Sequence, residues 1–128
     1  MKPEIAKIWT EALRSGKYEQ TRSVLKSVDN KFCCLGVLCE LAVEKGIIAP
    51  SKITEPNSYY VYEDDSYGVL PTEVQEWAGM INSNGWYADK KASNGEVIGS
   101  LALYKHNDVD KMNFDQIADI IEANVEKL

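Results

Sequence analysis

The apolar positions fall into helical stripes near both ends of the chain. Ile5, Ile8, Trp9, Ala12 and Leu13 repeat at three-and-four spacing, with Lys7, Glu11 and Arg14 on the opposite side. The pattern predicts an amphipathic helix anchored by Trp9. It should close at Ser15-Gly16, where glycine takes the left-handed conformation readily. Near the other end, Asn113 followed three residues later by Gln116 predicts a capping box. Ile117, Ala118, Ile121 and Val125 form the buried stripe of the helix it opens, and Met112 is placed to staple onto Ile117.

Between these helices, Cys33 to Val43 has few polar residues before Glu40. It predicts a central buried helix, with Cys34, Leu38, Leu41 and Ala42 along one side and Gly46 as its stop. Gly36 costs about 1 kcal/mol of helix propensity against alanine. It therefore reads as a close-packing site, where another backbone or a ligand lies against the helix.

The remaining segments are less periodic. Tyr18 to Ser27 shows no helical stripe. Arg22 to Cys34, with Asp29-Asn30 between apolar stretches, predicts a short hairpin. Ile47 to Asn57, with Pro50 and Pro56, reads as loop. Tyr59 to Tyr62 is a strand former, and Tyr67, Val69 and Leu70 form its expected return after the acidic bend Glu63-Asp64-Asp65. That hairpin would expose a face of Tyr59, Tyr60 and Tyr62. Pro71 to Gly79 predicts a short helix with Val74, Trp77 and Ala78 inward. Thr72 and Gln75 match a capping box, or Pro71 takes the first helical position. Trp86-Tyr87 suggests a short strand, Lys90 to Asn94 a turn, and Ile98, Leu101, Ala102 and Lys105 a short helix. Together these elements predict one α+β domain over residues 1–128. Four or five helices surround a buried central helix, with one or two short antiparallel hairpins.

Composition narrows the function. A chain of 128 residues buries enough surface to fold without a metal or a disulfide. Its 45% hydrophobic content is ordinary for a globular protein. No apolar run approaches the roughly 18–20 residues that span a bilayer. Met1-Lys2-Pro3-Glu4 lacks the continuous apolar stretch of a signal peptide. A cytoplasmic protein is expected, with no membrane association. Fourteen basic and twenty acidic residues leave a net charge of −6. That balance opposes general attraction to nucleic acid.

Three cysteines, Cys33, Cys34 and Cys39, lie within one short stretch. An odd number so placed is no disulfide framework, and one cluster with a lone His106 lacks the paired spacing of a zinc site. A cysteine at a helix start gains thiolate character, so Cys33 or Cys34 with His106 as base is the catalytic alternative. Burial as small hydrophobes is the competing reading. Asp108 and Asp110 raise calcium, but Met112, Asn113 and Asp119 depart from the loop pattern. Asn107 and Asp108 read instead as turn and cap residues, and no metal is expected. Glu63, Asp64 and Asp65 read as a solvated turn. No phosphate loop, dinucleotide fingerprint or nucleophile elbow is present, so no cofactor is implied. The remaining candidate is Arg14, Lys17, Tyr18, Gln20 and Arg22. Such a set pairs guanidinium donors with a stacking ring and suits a small anion such as a nucleotide.

The runs Trp9 to Gln20, Phe32 to Ala42, and Leu70-Pro71 through Trp77-Ala78-Gly79 resemble a family of small uncharacterised proteins. Its members occur in tailed phages and in bacterial genomes carrying phage-derived genes. Asn107-Asp108 and Phe114 to Glu122 are similar too, while Gly85 to Gly95 is an insertion-like departure. The resemblance implies no catalytic activity. It implies a phage or prophage accessory protein in the host cytosol, and some such proteins capture nucleotide signals used in defence. The expected function is a non-enzymatic binding protein acting on a host or phage protein, or on a small anionic ligand. The alternatives are the cysteine enzyme and a structural or protein-interaction module, including a homo-oligomer.

Overall fold

Trp9 has no exposed surface, and the helix that carries it forms one wall of the core. The computed structural model describes residues 1–53 and 58–128. Helix α1 (Pro3–Arg14) buries Ile5, Ala6, Trp9, Thr10 and Leu13. Gly16 follows in the left-handed region, at φ 76°. Helix α2 (Cys34–Glu44) buries every residue from Cys34 to Cys39, and Leu41 and Ala42 beyond. Trp9 joins the two helices, its indole Nε1 donating to the Cys34 carbonyl at 3.0 Å.

Gly36 explains how the central helix is packed. A Cβ built there would lie 1.8 Å from the carbonyl oxygen of Leu25. The neighbour predicted from the sequence is therefore a backbone, and only glycine admits it. The Leu25 carbonyl also accepts from Cys33 N at 3.3 Å, so the crossing segment is held in place.

Helix α3 (Thr72–Ala78) buries Val74 and Ala78. Helix α4 (Leu103–Asp108) buries Leu103, His106 and Asn107. Helix α5 (Phe114–Ala123) packs along α1 and buries Phe114, Ile117, Ala118 and Ile121. Its capping box is formed as expected. Gln116 N donates to Asn113 Oδ1 at 2.8 Å and Asn113 N to Gln116 Oε1 at 3.0 Å. Two hairpins complete the described residues. Strand β1 (Lys52–Ile53) pairs antiparallel with β2 (Tyr60–Val61), and β3 (Trp86–Lys91) with β4 (Val97–Ala102). The fold is α+β, with five α-helices, a short 3-10 turn at Glu63–Asp65 and two short antiparallel hairpins among the described residues. None of those helices is long and apolar enough to cross a membrane.

Several elements differ from expectation. Ile98, Leu101 and Ala102 lie in strand β4, and the helix begins only at Leu103. Backbone pairing with Trp86–Lys91 decides that segment, where a few apolar positions fitted either period. Tyr60 and Val61 pair with Lys52 and Ile53. The Tyr67–Leu70 segment is drawn elsewhere: the Tyr67 carbonyl accepts from Leu25 N at 2.6 Å, and Leu70 N donates to the Ser83 carbonyl at 2.9 Å. The segment expected as loop, Ile47 to Asn57, thus contains β1, and residues 54–57 of it lie outside the described residues.

The hairpin expected over Arg22 to Cys34 shrinks to one antiparallel bridge, Lys26 with Phe32. Positive φ at Ser23 (71°) and Asn30 (61°) interrupts extended backbone on both sides. The Thr72–Gln75 capping box is absent. Pro71 itself is the N-cap, and Gln75 Nε2 donates to the Met80 carbonyl at 3.3 Å. Tyr62 does not join an exposed tyrosine face. It is 4% exposed, and its hydroxyl donates to Glu40 Oε2 at 2.6 Å.

Candidate functional site

The three thiols are free and buried. Cys33 stands at the N-cap of α2, where helix amides favour a thiolate. Burial outweighs that and pushes the thiol up to about 12, while Cys34 and Cys39 are also pushed well above the ordinary range by burial. The Cys34 Sγ points at the Leu103 carbonyl, 3.6 Å away. These are filling groups, with no thiolate to offer at neutral pH.

His106 serves neither sulfur. It is 4% exposed, and its ring links strand β3 to the residue just past the end of its own helix. The Tyr87 hydroxyl lies 2.8 Å from Nε2, and Asp110 Oδ2 lies 2.7 Å from Nδ1. With Nδ1 protonated, the imidazole donates to Asp110 and accepts from Tyr87. The array thus clamps strand β3 to helix α4.

Asn107 is a hub that the sequence presented only as a turn residue. It is fully buried. Its Oδ1 accepts from Cys34 N at 3.1 Å and from Gln20 Nε2 at 2.8 Å. Its Nδ2 donates to the Thr21 carbonyl and to Asp108 Oδ1, each at 2.8 Å. Asp108 Oδ1 also accepts from Ser23 N at 3.0 Å. Both carboxylates considered for calcium are thus committed to protein donors. Among the described residues no cluster of three or more His, Cys, Asp or Glu is placed to hold a metal.

The expected anion-binding set is divided. Arg14, Tyr18 and Gln20 line one shallow hollow of about 330 Å³ with Leu13, Asn113 and Phe114. Lys17 and Arg22 lie outside that lining. Arg14 bonds Asp119 Oδ1 at 2.6 Å and also Glu122 Oε1. Those two carboxylates raise its pKa further. Lys17 Nζ sits 3.5 Å from Glu44 Oε1. Gln20 Nε2 donates to the Met112 carbonyl at 2.8 Å besides Asn107. Arg22 is exposed.

A second concavity lies between strand β4 and helix α4. It has a volume of about 270 Å³ and is lined by Ile98, Leu101, Val109, Lys90, Lys105 and Asp110, together with Gly99 and Ser100. Lys105 Nζ donates to Ser100 Oγ at 2.8 Å. Among the described residues no carboxylate reaches Lys90, Lys91 or Lys105 within 4.0 Å. The sequence placed a helix over Ile98 and a wet turn at Lys90, so this groove was not foreseen. The exposed aliphatic pair Val97-Ile98 after the Asn94-Gly95 turn was the available signal.

Residues 1–125 match the family described as a domain of unknown function, DUF8296. The chain belongs to that family. No curated protein and no solved structure matches it. The span matched to DUF8296 takes in the Asn107 hub, the His106 clamp and both concavities. The family is uncharacterised, so an activity for this DUF8296 chain rests on the chemistry of those groups.

Proposed function

We propose that the chain is a non-enzymatic accessory binding protein whose target is another protein. The observation that carries this reading is the exposed aliphatic surface of the β3–β4 hairpin. Val97 is 60% exposed and Ile98 58%, and Val109 at the end of α4 is 68% exposed. A two-stranded ribbon leaves backbone donors and acceptors unpaired along its outer edges. Apolar side chains gathered there suit a protein contact. The groups best fitted to chemistry, the thiols and the imidazole, are used up inside the fold. The resemblance of Phe32–Ala42 and Phe114–Glu122 to phage and prophage proteins supports the bacterial cytosol as the setting. It also supports a host or phage protein as the target.

A small anionic ligand is the second reading, favoured by the convergence of Arg14, Tyr18 and Gln20 on one hollow. It draws less support because Arg14 already faces two carboxylates. Two measurements decide between the readings. Tagged wild-type protein and the double variant Val97→Asp/Ile98→Asp are used for quantitative capture from bacterial lysate, with circular dichroism confirming the fold of each. A nucleotide panel is titrated into the wild type by calorimetry. The expected result is a partner retained by the wild type and lost by the variant, with no heat from nucleotides. Nucleotide binding abolished by Arg14→Ala would transfer the function to the hollow.

A further inference from the structure

The groove between β4 and α4 brings aliphatic walls and two lysines together. The chain carries a net charge of −6, and four of its cations face carboxylates: Arg14 faces Asp119 and Glu122, Lys17 Glu44, Lys26 Glu40 and Lys31 Glu19. At this groove Lys90 and Lys105 stand without a carboxylate partner among the described residues. Asp110 also lines it, but its Oδ2 is 2.7 Å from His106 Nδ1 and is turned to that ring. Lys105 uses one N–H on Ser100 Oγ, which leaves two donors. The walls are aliphatic: Ile98 and Val109 are more than half exposed, and Leu101 is half-buried behind them.

We infer that this groove docks an acidic segment of a partner protein that also presents an aliphatic side chain. The inference rests on the protein-binding reading above and names the chemistry of the partner. The aliphatic walls desolvate a Leu or Ile of the partner, and the two ammonium groups receive flanking carboxylates. A volume of about 270 Å³ has room for side chains of a peptide segment. Nucleic acid is a poorer match. Phosphate gains nothing from Ile98 and Val109, and the overall negative charge repels a polyanion. A short acidic segment meets the local cations at close range, where the wider field is screened.

The test uses the full chain and fluorescent synthetic peptides of three compositions: acidic with Leu or Ile, basic with Leu or Ile, and acidic without aliphatic residues. A short single-stranded oligonucleotide is the fourth probe. Binding is read by anisotropy for the wild type, Lys90→Glu, Val109→Asp and the charge-matched control Lys45→Glu at an exposed position away from the groove. The acidic-aliphatic peptides should bind best and weaken with salt. Each groove variant should weaken them by about tenfold, and the control should not. Preference for basic peptides, oligonucleotide binding lost in Lys90→Glu, or affinities untouched by both groove variants would each overturn the inference. So would absence of peptide binding. Sedimentation showing self-association abolished by Val109→Asp would assign the groove to a second copy and overturn it too. Lysate capture separates the two levels. A partner retained by Lys90→Glu and Val109→Asp but lost by the hairpin double variant keeps the binding function and removes the groove.

Discussion

The side chain of Asn107 accepts the backbone N–H of Cys34 at 3.1 Å, tying helix α4 to the first turn of the central helix. The first amides of a helix have no partner within it, and here the partner comes from 73 residues away. The same amide group satisfies the Thr21 carbonyl, so one side chain stitches three parts of the chain. Asn107→Ala strands a buried donor and a buried acceptor together. A loss of about 3 kcal/mol in unfolding free energy is expected, measured by urea denaturation. Asn107→Asp should recover little of it, because a buried carboxylate beside Asp108 replaces the amide donor. An unchanged urea midpoint in Asn107→Ala would remove the hub.

Gly36→Ala sets helix propensity against packing. Alanine gains about 1 kcal/mol in a helix interior. The Leu25 carbonyl, 1.8 Å from the new Cβ, must then move, and it is backbone held by Cys33 N. Overpacking should win, with a net loss of about 2–3 kcal/mol or failure to fold. A variant as heat-stable as the wild type would show that the crossing segment gives way freely.

The thiols predict a dependence on pH. Cys33 titrates at about 12 in the folded chain against an ordinary 9.0, because burial disfavours the thiolate. A raised thiol value means that the folded state holds its proton while the unfolded chain releases it. The stabilisation is complete below 9.0 and is lost as pH rises towards about 12. Each such thiol contributes a fall of up to about 1.4 kcal/mol per pH unit in that window. Denaturation curves taken across the alkaline range measure the slope. A thiol reagent at neutral pH should label none of the three cysteines until denaturant is added. Rapid labelling of the folded chain would return Cys33 and Cys34 to the front as catalytic candidates.

The His106 clamp should matter to the hairpin more than to the core. Tyr87→Phe removes one hydrogen bond and should cost about 1 kcal/mol. His106→Ala removes both links and should cost about 2 kcal/mol or more. Amide exchange in Trp86–Lys91 is expected to speed up in both variants, with α1 and α5 protected as before. Uniform loss of protection across the molecule would show that the clamp belongs to the global fold.

Periodicity was sufficient where one element decides its own face. Helix α1 with Trp9, helix α5 with its Asn113–Gln116 cap, and the apolar run of α2 are all readable in this way. Gly36 announced a close approach because a glycine amid good helix formers is unfavourable unless something needs the space. Strands of two residues carry no period at all, and β1 lies in a stretch marked as loop by its prolines. The Ile98–Ala102 segment is ambiguous over so short a length, and its pairing with Trp86–Lys91 settled it.

The candidate sites divide along the same line. That the cysteines serve as filler was legible from their apolar neighbours, since burial of that run follows from its composition. The convergence of Arg14, Tyr18 and Gln20 was half legible, because nearness along the chain brought them to one hollow. The carboxylates that occupy Arg14, and the partners of Asn107 and His106, come from remote segments. By itself the sequence determined helices α1, α2 and α5, the buried middle and the composition of its core, because those depend on local spacing and transfer from water. Only the tertiary structure decided which polar groups satisfy one another and which cations, at Lys90 and Lys105, are left facing an open groove. Hydrogen bonds and ion pairs depend on distances between side chains far apart in sequence, and no local pattern encodes those distances.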